Sequence, residues 1–309
     1  MSITQATLPD GRPVRFIERS AMRRKTKRNT FLGELRAPSL PAAPASIDWS
    51  NGNKIQMPIL GNAQYSNCFM ASACHQAQVW TGNTTGTPLP FDEATVVKEY
   101  LKLAGGDKGL YEEQLVNYWE TSGLPGFPKS KLIDSCDISP LNAELMQRAI
   151  YFFGGVQFQL SVPTKWLNNF KTGGVWDGGV KPNPLNGHAV YLFGYDLRGY
   201  YLVATWGSWC YMTPAGLASC DPDAFVAIGG DLFNAAGYAP TNKHYLDYTS
   251  MWSTLGGTAL PAGNYPAPSP TPTPTPTPTP SSNIWGFTGQ IDLTNRTLIG
   301  VLNDPPPTN

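Results

Sequence analysis

The sequence predicts an α+β fold in which helices come first and strands later, in two lobes that share one face. Two observations carry this. Apolar residues recur at helical spacing in four segments between residues 67 and 152, then give way after Gly155 to alternating and continuous apolar runs of strand length. The 309 residues are 41% hydrophobic and 12% aromatic, enough for a sizeable core. No run of 18 apolar residues is present, so no membrane span is expected.

In chain order, residues 1–46 read as a basic arm. Arg12, Arg15, Arg19, Arg23, Arg24, Lys25, Lys27, Arg28 and Arg36 outnumber Asp10, Glu18 and Glu34, and Pro38, Pro41 and Pro44 follow as an extended connector. Composition describes a solvated, partly disordered arm; the functional alternative is a short pro-like segment or a docking arm for an acidic partner. The globular part, residues 47–262, starts at Ile47-Asp48-Trp49. A polar loop, Gly61 to Asn67, enters a helix over 67–80, with Ser66 as N-cap and Cys68 in the first turn. Residues 81–91, rich in Thr, Gly and Pro, read as a loop. Helices follow over Asp92–Leu103, with Asp92 as cap, over Tyr111–Ser122, and over Asn142–Phe152. Val156, Phe158 and Leu160 alternate with Gln157, Gln159 and Ser161, a half-buried strand. His188–Tyr195 and Tyr200–Thr205 read as buried strands joined by a turn, and Phe225–Ile228 as a further strand.

Residues 263–282 hold five Thr-Pro pairs between Thr271 and Pro280, a semi-rigid polyproline II linker. Residues 283–309 form a small β-rich tail with two or three short strands, at Ile284–Phe287, Ile291–Leu293 and Thr297–Leu302. The tail is too small to stand alone and is expected to add to the main domain, another copy or a tethering partner.

Chemistry concentrates at Cys68. Unpaired backbone N–H groups and the helix dipole favour negative charge there, so the thiol is expected below its usual pKa and the thiolate available as a nucleophile. The chain has five cysteines: Cys68, Cys74, Cys136, Cys210 and Cys220. Cys210 and Cys220 are near enough to pair, but the N-terminus shows no apolar signal segment, and all five are expected reduced. The compartment is therefore left between the cytoplasm and an extracellular or virion-attached place reached by a non-standard route. His75 and Cys74, in an apolar run, read as core residues. Asp92, Glu93, Glu112 and Glu113 fall in first turns and read as solvated. Neither metal nor cofactor is implied, since no ligand spacing such as CxxC or HExxH occurs. Lys+Arg equals Asp+Glu at 22 each, which argues against general nucleic-acid binding.

Downstream pieces complete a constellation. Asn186-Gly187-His188-Ala189-Val190 enters an apolar strand, and sixteen residues after His188 comes Ala204-Thr205-Trp206-Gly207. With Ile47-Asp48-Trp49, the Asn62 to Cys68-Phe69 loop, Thr172-Gly173-Gly174-Val175-Trp176 and Gly194-Tyr195, these resemble the papain family of cysteine peptidases, in order and spacing, over roughly residues 45–230. The resemblance implies a two-lobed fold: a helical N-terminal lobe, an antiparallel sheet or barrel as C-terminal lobe, and an active-site cleft between them.

It also implies roles. Cys68 is the nucleophile, His188 the general base and acid in a thiolate–imidazolium pair, and Asn62 an oxyanion-hole amide beside the Cys68 N–H. Trp206 shields His188 from water. Two residues depart from the family pattern: Asn62 stands where the family has Gln, with Gln64 as a substitute amide at a spacing of four, and Ala204 stands at the place of the His-orienting Asn. Thr205 is Ala204's neighbour and by strand alternation is expected on the opposite face. Three functions follow: a cysteine peptidase acting on proteins or peptides through an acyl-thioester, a non-peptidase acyl transferase or amidase using the same dyad, and an inactive module that binds or tethers. Specificity pockets are expected near Tyr111, Trp119 and Val156.

Overall fold

The computed structural model describes residues 3–22, 42–254, 260–261, 265–266, 287–292 and 297–302; for 253–254 and the last two segments it describes backbone alone. The chain divides into two compact units, Met1–Ala267 and Pro268–Asn309. The large unit opens with a hairpin of β1 (Ile3–Thr7) and β2 (Pro13–Ile17), a 3-10 turn at Arg19–Ala21, and the short β3 (Ile47–Asp48). Three helices follow: α1 (Cys68–Thr85), α2 (Glu93–Ala104) and α3 (Glu112–Ser122). The rest is mostly strand: β4 (Leu132–Ile138), α4 (Ala143–Phe153), β5 (Val156–Ser161), α5 (Thr164–Asn168), β6 (Val175–Trp176), β7 (Gly187–Tyr195), β8 (Tyr201–Thr205), β9 (Ser208–Met212), α6 (Pro214–Ser219), β10 (Asp223–Gly229) and α7 (Tyr245–Thr254).

One sheet runs in the order β4-β10-β5-β7-β8-β9-β6, with β2 and β3 also pairing to β7. β7 is buried along its whole length, because it has neighbours on both edges. α1 is nearly as buried: only its last turn leaves the core, and it packs on α2, α3 and β7. This explains its composition. A helix surrounded on all sides has no polar stripe, and its Ala residues admit close neighbours. Trp80 meets Trp119 of α3 at 5.7 Å and donates its indole N–H to the Phe153 carbonyl, tying α1 to α4.

Expectation and structure differ at several elements. α1 runs past residue 80 to Thr85, where Gly86 at φ +78° ends it. Its N-cap is Asn67, whose amide is spent on the Leu60 carbonyl, and Ser66 instead gives its backbone N–H to Asp107. β5 is buried on both faces rather than one. The reason is polar matching: Gln157 bonds Ser72 and Gln76 on α1, and Gln159 bonds Arg19 and Glu112. Glu112 is accordingly buried, not solvated. β4, with mixed polarity, has no clear period in the sequence and is fixed by pairing with β10.

The largest correction concerns the N-terminal arm. Residues 3–22 are folded onto the domain and buried along one side: Val14, Phe16, Ile17, Arg19 and Met22 are buried against the core, and Ile17 pairs with Gly187. The signal was Val14-Arg15-Phe16-Ile17, a short strand pattern lost in a basic average. The remaining arm, residues 23–41, the Thr-Pro tract and Ile284–Gly286 lie outside the described residues. In the second unit, β11 (Phe287–Asp292) and β12 (Thr297–Leu302) form an antiparallel hairpin. No described helix is long and apolar enough to cross a membrane.

Candidate active site

Cys68 is the first residue of α1, so its sulfur sits where helix N–H groups have no intrahelical partner. The sulfur lies within reach of the backbone N–H groups of Phe69 and of Ala189, the residue after His188. Helix α1 and strand β7 thus bring Cys68 beside the residue that follows His188. The loop ahead of Cys68 is fixed from two sides. Leu60 accepts the Asn67 amide, and Ile59 packs against Gly207, where an added Cβ would come within about 3.0 Å. Asn62, in this loop, is buried, and its Oδ1 has no hydrogen-bond partner among the described residues. Gln64 is exposed and lines a surface depression with Asp92, Glu93 and Val97 of the α2 region, so it is not brought to Cys68.

His188 is fully buried. Its Nε2 lies 2.7 Å from the Thr205 hydroxyl, while its Nδ1 has no hydrogen-bond partner among the described residues. Thr205, not residue 204, therefore meets His188: alternation holds, but it is Ala204 that faces away from the imidazole. Register explains it. Tyr191 pairs with Ala204, so Thr205 is the next rung, on the side of Val190 and His188. Strand β8 ends there in a two-residue hairpin turn. Trp206 and Gly207 have φ of +49° and +66°, the left-handed pair that a tight hairpin requires. A tryptophan in that conformation is strained. It is held by packing: its ring stacks on His188 at 4.7 Å and meets Phe170 and Trp176 edge-on.

The site is closed. Phe16 of β2 sits edge-on to both His188 and Trp206, with ring centres 5.9 Å from each. Arg12 donates to the Trp206 carbonyl. Arg15 pairs with Asp107 at 2.5 Å, and Asp107 also accepts from the Ser66 N–H and Tyr100 hydroxyl. Burial pushes the Asp107 carboxyl up, but the hydrogen bonds from Ser66, Tyr100 and Arg15 outweigh it and hold the group below its ordinary value. Residues 3–22, a strap across the site, pass between two glycines. A Cβ on Gly109 would lie 2.6 Å from the Ile17 side chain, and one on Gly187 would lie 2.5 Å from the Ile17 carbonyl. Both walls are thus shaped for a chain lying between them.

Closure sets the electrostatics. Burial pushes the Cys68 thiol up to about 11 and outweighs the nearby N–H groups. Burial likewise pushes His188 down to about 3. Under the strap the pair is neutral, against the expectation of a lowered thiol pKa, because desolvation dominates the helix dipole. His75 and Cys74 are core residues: His75 bonds the Pro58 carbonyl at 2.7 Å, burial pushes it down to about 4, and burial also raises Cys74. All five cysteines are free and buried. Trp119 and Val156 lie in the core and so face no substrate. Among the described residues, no group of three or more His, Cys, Asp or Glu side chains is placed to hold a metal ion.

No protein-family model matches the sequence, and no curated protein matches it. Solved structures do match. A structure from work on the mite allergens Blo t 1 and Der p 1 aligns with a TM-score of 0.50 and 14% identity, over 68% of this chain and 76% of that one. Xylellain, a cysteine protease from Xylella fastidiosa, aligns with a TM-score of 0.46 and 13% identity, over 60% of this chain and 86% of that one. Digestive procathepsin L 3 of Tenebrio molitor aligns with a TM-score of 0.47 and 14% identity, over 61% and 71%. Three helices ahead of a large, mostly antiparallel sheet, with Cys68 at the start of α1 beside β7: the chain has the papain-like cysteine protease fold.

Proposed function

We propose that the chain is a cysteine peptidase that cleaves peptide bonds through Cys68 and His188, latent while residues 3–22 cover the site. The observation that carries this is the state of His188: Nε2 engaged by Thr205 and Nδ1 left without a partner among the described residues, on a strand whose next residue, Ala189, reaches Cys68. If Thr205 accepts the Nε2 proton, the lone pair of the imidazole is on Nδ1. Nδ1 then takes the Cys68 proton, and the thiolate attacks the substrate carbonyl carbon. Charge on the carbonyl oxygen is met by the Cys68 N–H and the Asn62 side-chain amide. As the tetrahedral species collapses, the C–N bond breaks and the amine leaves with the proton from Nδ1. Water, deprotonated by His188, then attacks the thioester carbonyl, releasing the acid and the thiol.

Latency follows from the same residues. A substrate carbonyl has no room at His188 while Phe16 lies on the ring, and the neutral pair gains ionisation only when water reaches it. The test is labelling with an epoxide-bearing peptide probe, read by mass spectrometry, on the wild type, Arg15→Ala and His188→Ala. Selective modification of Cys68, faster in Arg15→Ala and lost in His188→Ala, is expected. The same closure favours a second reading, a binding module whose site stays shut. Absence of Cys68 labelling in every strap-loosened variant would select it.

A further inference from the structure

Resting on the peptidase reading above, we propose that Asp107 is a specificity carboxylate that receives the cationic side chain, arginine or lysine, of a substrate residue next to the scissile bond. The two oxygens of this carboxylate are used differently. Oδ1 accepts the Ser66 N–H at 2.8 Å and the Tyr100 hydroxyl at 2.7 Å. Tyr100 is fully buried on α2, and its hydroxyl accepts the Gly109 N–H at 2.8 Å, so the group that aims Oδ1 is itself fixed. Oδ2 faces the strap and accepts from Arg15 Nη1 at 2.5 Å. With 17% of the side chain exposed, the carboxylate is a recessed acceptor rather than a solvated surface charge. A carboxylate clamped by two donors on one oxygen keeps its orientation when the cation on the other departs, so Oδ2 stays in place to be met again.

Position ties this acceptor to the reacting groups. Ser66 stands two residues ahead of Cys68, in the loop that delivers the nucleophile. Burial is the main cause of the raised Cys68 thiol, and the charge of Asp107 adds to it, which places the carboxylate near the sulfur. Arg15 lies within β2, an extended strand in which it pairs with Gln5 of β1, and its neighbour Phe16 is the residue on the His188 ring. Successive side chains of a strand point to opposite sides. β2 therefore sends one side chain to the His188 wall and the one before it to the Ser66 wall, the path open to a peptide that presents a carbonyl between the two. A peptide that displaces β2 takes Arg15 away with it and covers Oδ2. Covering a recessed carboxylate with a neutral side chain costs more than meeting it with a cation. Arg15 donates through Nη1 alone, a single charge-assisted bond that an ammonium makes as well as a guanidinium. Arginine and lysine are thus both taken, and neutral side chains are not.

Epoxide peptide probes carrying arginine, lysine or citrulline at each residue flanking the warhead test this on the wild type, Arg15→Ala and Asp107→Asn. Rates of Cys68 labelling are compared where they are first order in probe. At one position arginine and lysine are expected to label about tenfold faster than citrulline, their neutral counterpart. Opening of the strap is common to all probes and cancels in the ratio. Arg15→Ala is expected to keep the ratio. Asp107→Asn, whose Oδ1 still accepts from Ser66 and Tyr100, is expected to bring it to about one. Equal rates in the wild type, which need no variant to fold, or a ratio that survives Asp107→Asn, overturn the inference and leave the peptidase reading standing. If no probe labels Cys68, the same peptides with an amide in place of the epoxide decide, by fluorescence anisotropy on Phe16→Ala. Arginine binding about tenfold tighter than citrulline, with the difference lost when Asp107→Asn is added, upholds the subsite and removes the peptidase reading. Equal binding, or none, overturns the subsite.

Discussion

The bond between His188 and Thr205 can be removed almost without changing shape. Thr205→Val replaces the hydroxyl by a methyl group on a side chain that is 2% exposed, opposite a fully buried imidazole. The 2.7 Å contact is the one hydrogen bond His188 makes through its side chain among the described residues. Its loss leaves Nε2 buried without a partner, at a cost of about 1–3 kcal/mol. In a domain of this size each kcal/mol shifts Tm by roughly 2–4 °C. The same 1–3 kcal/mol, expressed in the reactivity of a misoriented base, slows Cys68 labelling about five- to 150-fold. Thr205→Ser keeps the oxygen and is expected to keep both properties. Ala204→Asn added to Thr205→Val is expected to restore neither, because residue 204 pairs with Tyr191 and faces away from His188. Wild-type Tm and wild-type labelling in Thr205→Val would refute the assignment, and rescue by Ala204→Asn would refute the register.

Other outcomes follow from the same geometry. Phe16→Ala removes the ring that lies 5.9 Å from that of His188 and is expected to raise the labelling rate of Cys68 at least tenfold; an unchanged rate means the strap does not gate the site. Burial holds His188 at about 3 and His75 at about 4 in the folded chain, against about 6.5 when unfolded. Below 6.5 the unfolded state binds more protons, so stability is present at neutral pH and lost as pH falls from 6.5 towards those values. Urea midpoints at pH 7.5 and 4.5 should differ in that sense, by at most about 2–3 kcal/mol per histidine, and a flat profile contradicts their burial. Gly109→Ala adds a Cβ at φ +76° against Ile17, and faster proteolysis of residues 3–22 is expected; unchanged protection would contradict the close approach. A thiol reagent should find none of the five cysteines quickly in the native chain and all five after denaturation.

How far the sequence could be read depended on how local each signal was. The helices α2, α3 and α4 were legible because cap, period and terminating glycine all lie within a dozen residues. Cys68 and His188 were legible because each sits in a short motif. The orienting role of Thr205 was not, since it depends on which residue of β8 faces Tyr191, a matter of pairing between strands. The strap was hidden for a different reason. Val14, Phe16 and Ile17 are three apolar residues among many cations, and only their placement against Gly109, Gly187 and Trp206 gives them a surface to bury. Gln157, Gln159 and Glu112 looked solvent-facing because polarity was taken as exposure, whereas each is matched by a partner brought from another element.

The strap is joined to the chain it covers, re-entering the fold at β3 after the stretch of residues 23–41. Its binding is therefore intramolecular, with an effective concentration on the order of millimolar that does not fall when the protein is diluted. A free peptide at micromolar concentration competes at a disadvantage of about a thousandfold before any difference in contacts is counted. A single cut between residues 23 and 41 removes that advantage while leaving every described contact of the closed site in place, and turns occupancy of the cleft into a function of protein concentration.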